Sequence, residues 1–333
     1  MAFCIVSNKN NIMKKIVSCI LLAGCTVAIP DQPTARIEFN APETYPEGIA
    51  YDSISDVYFV SSARLGNIGK VTPAGLYSTV ITDPTFKSSY GVKVHPDGKR
   101  VFACIGDANY SKFSTPETKK KMARLVGIDM STGKKTDDVN LANLVPGNHF
   151  PNDLTFDGQQ NAYITDSFAN VIYKVTPAGK ASVFAESPMF KTEGVGLNGI
   201  VYHPSGYLLV ISGGTGNIYK IDLSKPKNIT KVSTDQFFMN GDGLLLTADD
   251  KLVVVQNGGS DKIYELSSTD NWSSAKVSAS TLGADRFTYP STATKARDKV
   301  WIMNAKFSEL TDSTNVPSKK FAIQHARLMP LPK

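Results

Sequence analysis

Cysteine and long apolar runs are both scarce in this chain of 333 residues. It has four cysteines, and only Cys104 lies beyond the first 25 residues. A lone cysteine cannot form an internal disulfide, and a free cysteine commonly behaves as a small core residue. Beyond the amino terminus, no stretch approaches the roughly 20 apolar residues of a transmembrane helix. The sequence therefore predicts neither a disulfide framework nor a membrane-spanning domain.

The chain also lacks the patterns that mark nucleic-acid and nucleotide chemistry. It carries 36 Lys and Arg against 30 Asp and Glu, and the basic residues are scattered apart from the run Lys119–Lys121. Nucleic-acid binding calls for a basic stripe with aromatic platforms, so we expect no nucleic-acid partner. There is no phosphate-binding loop, no Cys/His zinc spacing and no G-x-S-x-G segment. Nucleotide chemistry and a serine nucleophile elbow are therefore not expected.

The amino terminus resembles an export signal. Two lysines precede the apolar run Ile16–Ala23, which is too short to cross a bilayer. The sequence Leu-Ala-Gly-Cys that ends at Cys25 resembles a bacterial lipobox, and the alternative is an ordinary signal peptide cleaved slightly later. Translation starts at Met1 or Met13. We predict export to the bacterial periplasm or cell surface, with membrane attachment only through a lipid on Cys25.

What the sequence does contain is a repeat of short β-strands. Residues 1–33 are interpreted as signal and linker, and residues 34–333 as a single domain. Runs of β-branched and aromatic residues alternate with Gly, Pro, Asn and Asp clusters, and helical periodicity is almost absent. Six segments align, and they begin about 45 residues apart with one longer interval of about 62, which is typical of four-stranded propeller blades. Their first residues are Gly48, Gly91, Asp153, Gly199, Gly243 and Ser291.

The fold class predicted is therefore all-β, a six-bladed β-propeller of four-stranded blades. A ring of blades must be sealed, because an open propeller leaves unpaired strand edges. We expect the amino-terminal strand Ala35 to Asn40 to seal it by adding beside Phe321 to Leu328. The long second repeat contains the polar insertion Ala108 to Lys121, which is either a lid or a simple excursion.

Six anchor residues directly precede the innermost strands and should point toward the propeller axis. Four of them carry side-chain oxygens, two as carboxylates and two as amides, which suits a hard cation such as Ca²⁺. Turn chemistry is the alternative reading of any one of them. Their shared position in different blades favours one common site. The anchor residues are Glu47, Tyr90, Asn152, Asn198, Asp242 and Pro290.

The segments around the four oxygen-bearing anchors resemble the motifs of the regucalcin and gluconolactonase family. They are Pro-Glu-Gly at Glu47, Pro-Asn-Asp at Asn152, Leu-Asn-Gly at Asn198 and Gly-Asp-Gly at Asp242. The resemblance covers nearly the whole mature chain and implies a six-bladed propeller in which these four residues bind one divalent metal. It also implies that Asp242 is the catalytic base. More distantly, the segment at Asn152 is similar to paraoxonase-type lactonases, which are calcium propellers.

Other residues near the same mouth are weaker candidates. The arginine that often precedes the first asparagine in the family is absent, and His149-Phe150-Pro151 stands there instead, so specificity for sugar lactones is not implied. His149 is a candidate second acid or base, or else a structural histidine. The loops after each second strand should line the pocket. From these loops and the anchors we assign substrate binding to Asp166, Asp153, Tyr90 and Gln256, although Asp166 is also typical of a turn cap.

The predicted function is metal-dependent hydrolysis of a lactone or ester at the central mouth. The predicted cofactor is one divalent cation, Ca²⁺ first, with Zn²⁺, Mn²⁺ or Mg²⁺ as alternatives, and the predicted partner is a small-molecule lactone or ester bound by a monomer. Two other functions remain open, because fold alone does not determine function. One is a surface propeller that binds a metabolite without turnover, and the other is a protein-interaction scaffold.

Overall fold

Twenty-six strands and two short 3-10 helices make up the part of the chain that the structure describes, residues 35–311 and 314–331 of a computed structural model. The predicted signal, Cys25 and both candidate start residues lie outside these ranges. Within them, no helix has the length and hydropathy needed to cross a bilayer.

The strands form six antiparallel sheets, which confirms the predicted six-bladed propeller. The first blade contains β2 (Ile49–Asp52), β3 (Val57–Val60), β4 (Ile68–Val71) and β5 (Tyr77–Ile81), and the second contains β6 (Ser88–Val94), β7 (Arg100–Gly106), β8 (Ala123–Asp129) and β9 (Lys135–Asn140). The third contains β10 (Pro151–Phe156), β11 (Ala162–Asp166), β12 (Val171–Val175) and β13 (Ala181–Glu186), and the fourth contains β14 (Leu197–His203), β15 (Tyr207–Ser212), β16 (Ile218–Asp222) and β17 (Ile229–Lys231).

The last two blades depart slightly from this plan. The fifth contains β19 (Gly241–Leu246), β20 (Lys251–Gln256), β21 (Lys262–Ser267) and β22 (Ser274–Ser280), with β18 (Ser233–Thr234) and β26 (Met329–Pro330) on its outer edge. The sixth contains β23 (Pro290–Ala296), β24 (Lys299–Asn304), β25 (Lys320–His325) and β1 (Arg36–Asn40). The 3-10 helices are Pro188–Phe190 and Phe307–Leu310. The two short edge strands shield β22 from further pairing.

The innermost strands form the wall of the central channel. Those of consecutive blades contact one another, and β23 of the last blade contacts β2 of the first, so the ring is closed. Apolar side chains between the blades form the core, and the second strands β7, β15 and β20 are almost entirely buried. An outer strand such as β9 is mostly exposed. Burial therefore falls from the axis to the rim, as the blade geometry requires.

Two histidines that stand at equivalent turns of different blades serve the turns themselves. The Nδ1 atom of His95 accepts the backbone N–H of Asp97 at 3.2 Å. The same atom of His203 accepts the backbone N–H of Ser205 at 3.1 Å. Each turn also closes with a glycine N–H donated to the histidine carbonyl at 2.9 Å. Their repetition reflects hairpin geometry rather than chemistry.

The ring is sealed by the amino-terminal strand, as the sequence predicts. Strand β1 pairs antiparallel with β25 in the register Arg36 to Gln324 through Asn40 to Lys320. Phe39 of this strand is 2% exposed, and its ring lies 6.3 Å from that of Phe321. The first described strand therefore shares a blade with β25 near the other end of the chain, and both backbone and core contacts hold the two together.

We expect Phe39→Ala to lower the free energy of unfolding by about 3 to 5 kcal/mol, the usual cost of emptying a buried phenylalanine site. The matched control is Glu38→Ala in the same strand, whose side chain is 63% exposed. Urea unfolding checks both variants. Equal stability of the two would show that the sealing strand contributes no packing to the ring.

Candidate metal centre

The anchor residues lie where the innermost strands depart from regular pairing. One extra residue interrupts the register between Pro151 and Leu154 in β10, between Leu197 and Ile200 in β14, and between Gly241 and Leu244 in β19. Such a β-bulge redirects the side chain that it contains. The bulges contain Asn152, Asn198 and Asp242, so the same local device turns each toward the axis. Strands β6 and β23 have the same irregularity.

Glu47 reaches the same level without a bulge, because it stands just before β2. The Ser61 hydroxyl oxygen accepts the backbone N–H groups of Glu47 at 3.2 Å and of Gly48 at 2.7 Å. On the other side, the Ser291 hydroxyl donates to the Glu47 carbonyl at 2.6 Å. Two neighbouring strands therefore hold the backbone of Glu47 in place.

The glycines that follow the anchors allow the blades to approach closely. A Cβ on Gly48 would lie 2.4 Å from the Tyr90 carbonyl oxygen, and one on Gly199 would lie 2.4 Å from that of Asp242. In both cases the neighbour is the anchor of the next blade. Backbone contact this close has no room for a side chain. The anchor-glycine pairs of the sequence thus bring adjacent anchors together around the axis.

The four oxygen-bearing anchors line one pocket of about 300 Å³ at this mouth. All four are buried, with exposures of 2% to 7%. The other lining residues come from the surrounding loops and include three sequence positions that were not assigned to the site, Tyr110, Glu193 and Tyr289. The remaining lining residues are Phe150, Gly194, Val195, Gly213, Gly214, Asn240, Gly241, Asn257 and Phe307.

Three of the four anchors present a buried oxygen that has no hydrogen-bond partner. These atoms are Glu47 Oε2, Asn152 Oδ1 and Asn198 Oδ1. The Asn152 amide is oriented from behind, because its Nδ2 donates to the Ser167 hydroxyl at 3.0 Å. An unpaired buried oxygen costs about 1 to 3 kcal/mol, so three at one pocket call for a ligand.

The two carboxylates are held in an environment that opposes their charge. Burial raises the pKa of Glu47 well above its ordinary value, and the nearby charge of Asp242 raises it further. Burial likewise raises the pKa of Asp242, with a further contribution from Asp153, while hydrogen bonds from Asn257 and Asn198 lower it. Like charges in a buried site must take up a proton or a cation.

The donor set fits a hard divalent cation. Two carboxylates and two amide oxygens are ligands that Ca²⁺ accepts, and the carboxylates together match its charge. Among the described residues, no group of three or more His, Cys, Asp or Glu is placed to hold a metal ion, so a cation in this pocket would need the amide oxygens as ligands as well. This composition differs from the His- and Cys-rich sets of structural zinc sites.

One side of the pocket is aromatic. Tyr110, Tyr289 and Phe307 form this aromatic wall, with the Phe307 ring 4.8 Å from that of Tyr110 and 5.5 Å from that of Tyr289. Burial raises the pKa of Tyr110 and of Tyr289, so both hydroxyls stay protonated at neutral pH. Tyr289 directly precedes β23 in a left-handed conformation, with φ of 52°.

Tyr110 comes from the insertion Ala108 to Lys121, which is fastened to the propeller. Its Lys112 backbone N–H donates to the Arg64 carbonyl at 2.9 Å. The Thr118 hydroxyl donates to Asp107 at 2.7 Å. The Tyr90 hydroxyl accepts the Ala108 backbone N–H at 3.0 Å. The insertion is therefore a fixed part of the pocket rim.

The comparisons with known proteins give structural relatives only. No protein-family model matches the chain, and no curated protein matches it in sequence. The Malassezia sympodialis allergen Mala s 1 is 16% identical over 88% of this chain and 96% of its own, with a TM-score of 0.69.

Two further structures are enzyme-like by description. A luciferin-regenerating enzyme is 12% identical over 89% of this chain and 98% of its own, with a TM-score of 0.60. A protein assigned as a gluconolactonase is 15% identical over 90% and 96%, with a TM-score of 0.58. The likeness is one of fold. Both are six-bladed propellers of the gluconolactonase-like type, so the resemblance seen in the sequence extends to structure.

Asp166 and His149 are placed differently from the expectation. Asp166 is fully buried, and its Oδ1 accepts the backbone N–H groups of Phe150 at 2.8 Å and of Ala169 at 3.0 Å. Its Oδ2 lies 2.8 Å from Nδ1 of His149 and accepts the Tyr173 hydroxyl at 3.1 Å. Neither residue lines the pocket, because each is engaged by the other and by the loop. In the structure both side chains brace the loop that carries Asn152, and their roles in catalysis and substrate binding stay predictions.

The other residues assigned to substrate binding also lie outside the pocket lining. Tyr90 is fully buried behind the anchors, and Gln256 donates its amide to the Met239 carbonyl at 2.8 Å. Asp153 accepts the Leu154 backbone N–H at 2.8 Å. These side chains do not line the pocket, because each is buried and hydrogen-bonded elsewhere in its blade. The neighbour of Gln256 does line it, since Asn257 Nδ2 donates to Asp242 Oδ2 at 2.6 Å.

Proposed function

We propose that this protein is a metal-dependent hydrolase of lactones or esters that acts in the pocket at the anchor mouth. The observation that carries the proposal is a pocket in which two carboxylates are buried together and three of the four anchors present an unpaired oxygen. Glu47, Asn152, Asn198 and Asp242 would hold the cation, with Ca²⁺ as the first candidate. The fold shared with a protein assigned as a gluconolactonase supports the reaction class.

The bound cation would supply Lewis-acid polarisation of a carbonyl oxygen, which contributes several kcal/mol in such sites. The chain's own residues do the rest. Asp242 would take a proton from the water that adds to the carbonyl carbon, and that proton would pass to the alkoxide released when the acyl C–O single bond breaks. Asn152 and Asn198 would contribute amide oxygens to the cation and orient the substrate. The aromatic wall excludes water from the organic part of the substrate.

A second candidate is capture of a metabolite without turnover. The arrangement around Asp242 favours it, because Oδ2 already accepts the Asn257 amide and the Asn198 amide donates to the same carboxylate. A base needs a free oxygen that faces the water. In this alternative, Glu47 and Asp242 would bind the cation only, and the pocket would hold its ligand unchanged.

The test begins with metal analysis of the purified protein after dialysis against Ca²⁺, Zn²⁺, Mn²⁺ or Mg²⁺. We expect one ion per chain in the wild type and about tenfold weaker binding in Glu47→Gln, which keeps the shape of the side chain and removes its charge. The loaded protein is then assayed with a panel of lactones and aryl esters. Stoichiometric metal without any turnover would support the metabolite-binding alternative. Absence of a bound ion under all four conditions would overturn the proposal.

A further inference from the structure

All the charged side chains that line the pocket are acidic. Glu47, Asp242 and Glu193 line it, and the described lining residues include no Lys, Arg or His. Glu47 and Asp242 match the charge of a divalent cation, which leaves the carboxylate of Glu193 in excess at the rim. Glu193 is exposed and stands next to Gly194 in the loop before β14.

Nearby basic side chains of the insertion are held by other partners. Lys112 Nζ lies 2.8 Å from Glu43 Oε2. Lys120 Nζ lies 5.2 Å from the centre of the Phe168 ring. Neither residue is among those that line the pocket. A substrate carboxylate in the pocket would therefore meet Glu193 without a basic partner, and like charges placed together oppose binding.

The aromatic wall offers the opposite kind of contact. Tyr110 and Tyr289 are only partly buried, so their rings are accessible from the pocket, and Phe150 borders it as well. Aromatic faces bind flat apolar groups, and tyrosine hydroxyls add neutral hydrogen bonds. The lining thus has the chemistry that recognises an uncharged organic ring.

We propose that the pocket selects uncharged lactones or esters with an apolar or aromatic body and rejects those that carry a free carboxylate. Glu193 sets the rejection of anions, and the aromatic wall sets the preference for the apolar body. This inference rests on the proposed function, since it names the substrate class of the same pocket. It assigns specificity to Glu193 and Tyr110, which line the pocket and are not among the proposed cation ligands.

The test uses ligands that bind without reacting. Phthalimidine is the lactam analogue of an aromatic lactone and resists hydrolysis, and its ring-carboxylated derivative adds one negative charge. Isothermal calorimetry with the Ca²⁺-loaded protein is expected to show about tenfold tighter binding of the neutral compound. In Glu193→Gln the affinities of the two compounds should differ by less than about threefold. The carboxylated compound should bind more tightly than it does to the wild type, while the affinity of the neutral compound should stay the same.

Two variants make the result specific. Tyr110→Ala should weaken the neutral ligand by about tenfold and leave cation binding intact. Asp298→Asn is the matched charge control, since Asp298 is an exposed carboxylate in the hairpin at the opposite end of the sixth blade. It should leave both affinities unchanged.

Equal or tighter binding of the carboxylated compound would overturn the inference, as would failure of both compounds to bind. An unaltered preference in Glu193→Gln would remove the role given to that residue. These outcomes are separate from failure of the proposed function, which would appear as absence of a bound cation or of ester turnover. If the protein binds phthalimidine selectively but hydrolyses no ester, the inference about specificity stands and the proposed hydrolysis fails.

Discussion

Asp242→Asn is expected to abolish both hydrolysis and tight cation binding. The substitution keeps the size of the side chain but removes one of the two charges that match the cation, and it removes the proposed base. Loss of general-base catalysis alone lowers rates by about 10² to 10⁴. We therefore expect ester turnover to fall by at least about 10², together with a loss of bound Ca²⁺ measured by elemental analysis.

The control is Asp249→Asn, which removes an exposed carboxylate from the hairpin at the other end of the same blade. It should leave turnover and metal content unchanged. If Asp242→Asn kept the cation but lost turnover, Asp242 would act as the base and not as an essential ligand. Retention of both properties would contradict the role assigned to Asp242.

The second large effect is on the pH dependence of stability in metal-free protein. Folding raises the pKa values of Glu47 and Asp242 above their ordinary values of 4.5 and 3.8. At a pH below these ordinary values, both carboxyl groups are protonated in the folded and in the unfolded chain. The stabilising contribution of Glu47 and Asp242 is then at its full size. As the pH rises, the unfolded chain loses its protons first, so the stability of metal-free protein falls until the pH passes the raised values.

We accordingly expect metal-free protein to be more stable at pH 5 than at pH 8. Glu47→Gln should raise its stability at pH 8 by about 1 to 3 kcal/mol, because a buried charge is replaced by a neutral amide. Saturating Ca²⁺ should make the protein more stable at pH 8 than at pH 5. At 100 times the wild-type dissociation constant, Ca²⁺ should stabilise the wild type by about 2.7 kcal/mol. The gain should fall to about 1.4 kcal/mol in Glu47→Gln, because that variant binds the cation about tenfold more weakly.

Urea unfolding gives the free energy of unfolding under all four conditions, at pH 5 and pH 8, each with chelator and with Ca²⁺. Glu186→Gln provides the control, since it makes the same chemical change at an exposed position of β13. A wild type whose metal-free stability rises from pH 5 to pH 8 would contradict the buried repulsion between Glu47 and Asp242.

Much of the architecture could be predicted because it repeats. Each blade has the same order of anchor, strand, turn and strand, so weak signals in any one blade add up over six. The sealing strand was predictable as well, since a ring with an open edge is unfavourable and Arg36–Asn40, the first strand of the described residues, precedes the first blade. The four anchors followed from their shared position in the repeat.

The pocket wall could not be predicted in the same way. Tyr110 lies in an insertion that has no counterpart in the other blades, and Glu193 lies in an irregular loop before β14. Tyr289 stands next to an anchor, but a left-handed backbone at that position is a property of the fold. Asp166 and His149 seemed suitable by residue type, yet their mutual hydrogen bond at 2.8 Å turns both away from the pocket.

The sequence by itself determined the blade count, the order of the strands and the four oxygen-bearing anchors that line one pocket, because these depend on local patterns that recur along the chain. Tertiary structure alone decided which oxygens stay unpaired, which carboxylates repel each other and which loops border the site. Those properties depend on groups that are distant in sequence and meet only when the ring closes, since burial and Coulomb interactions act through space.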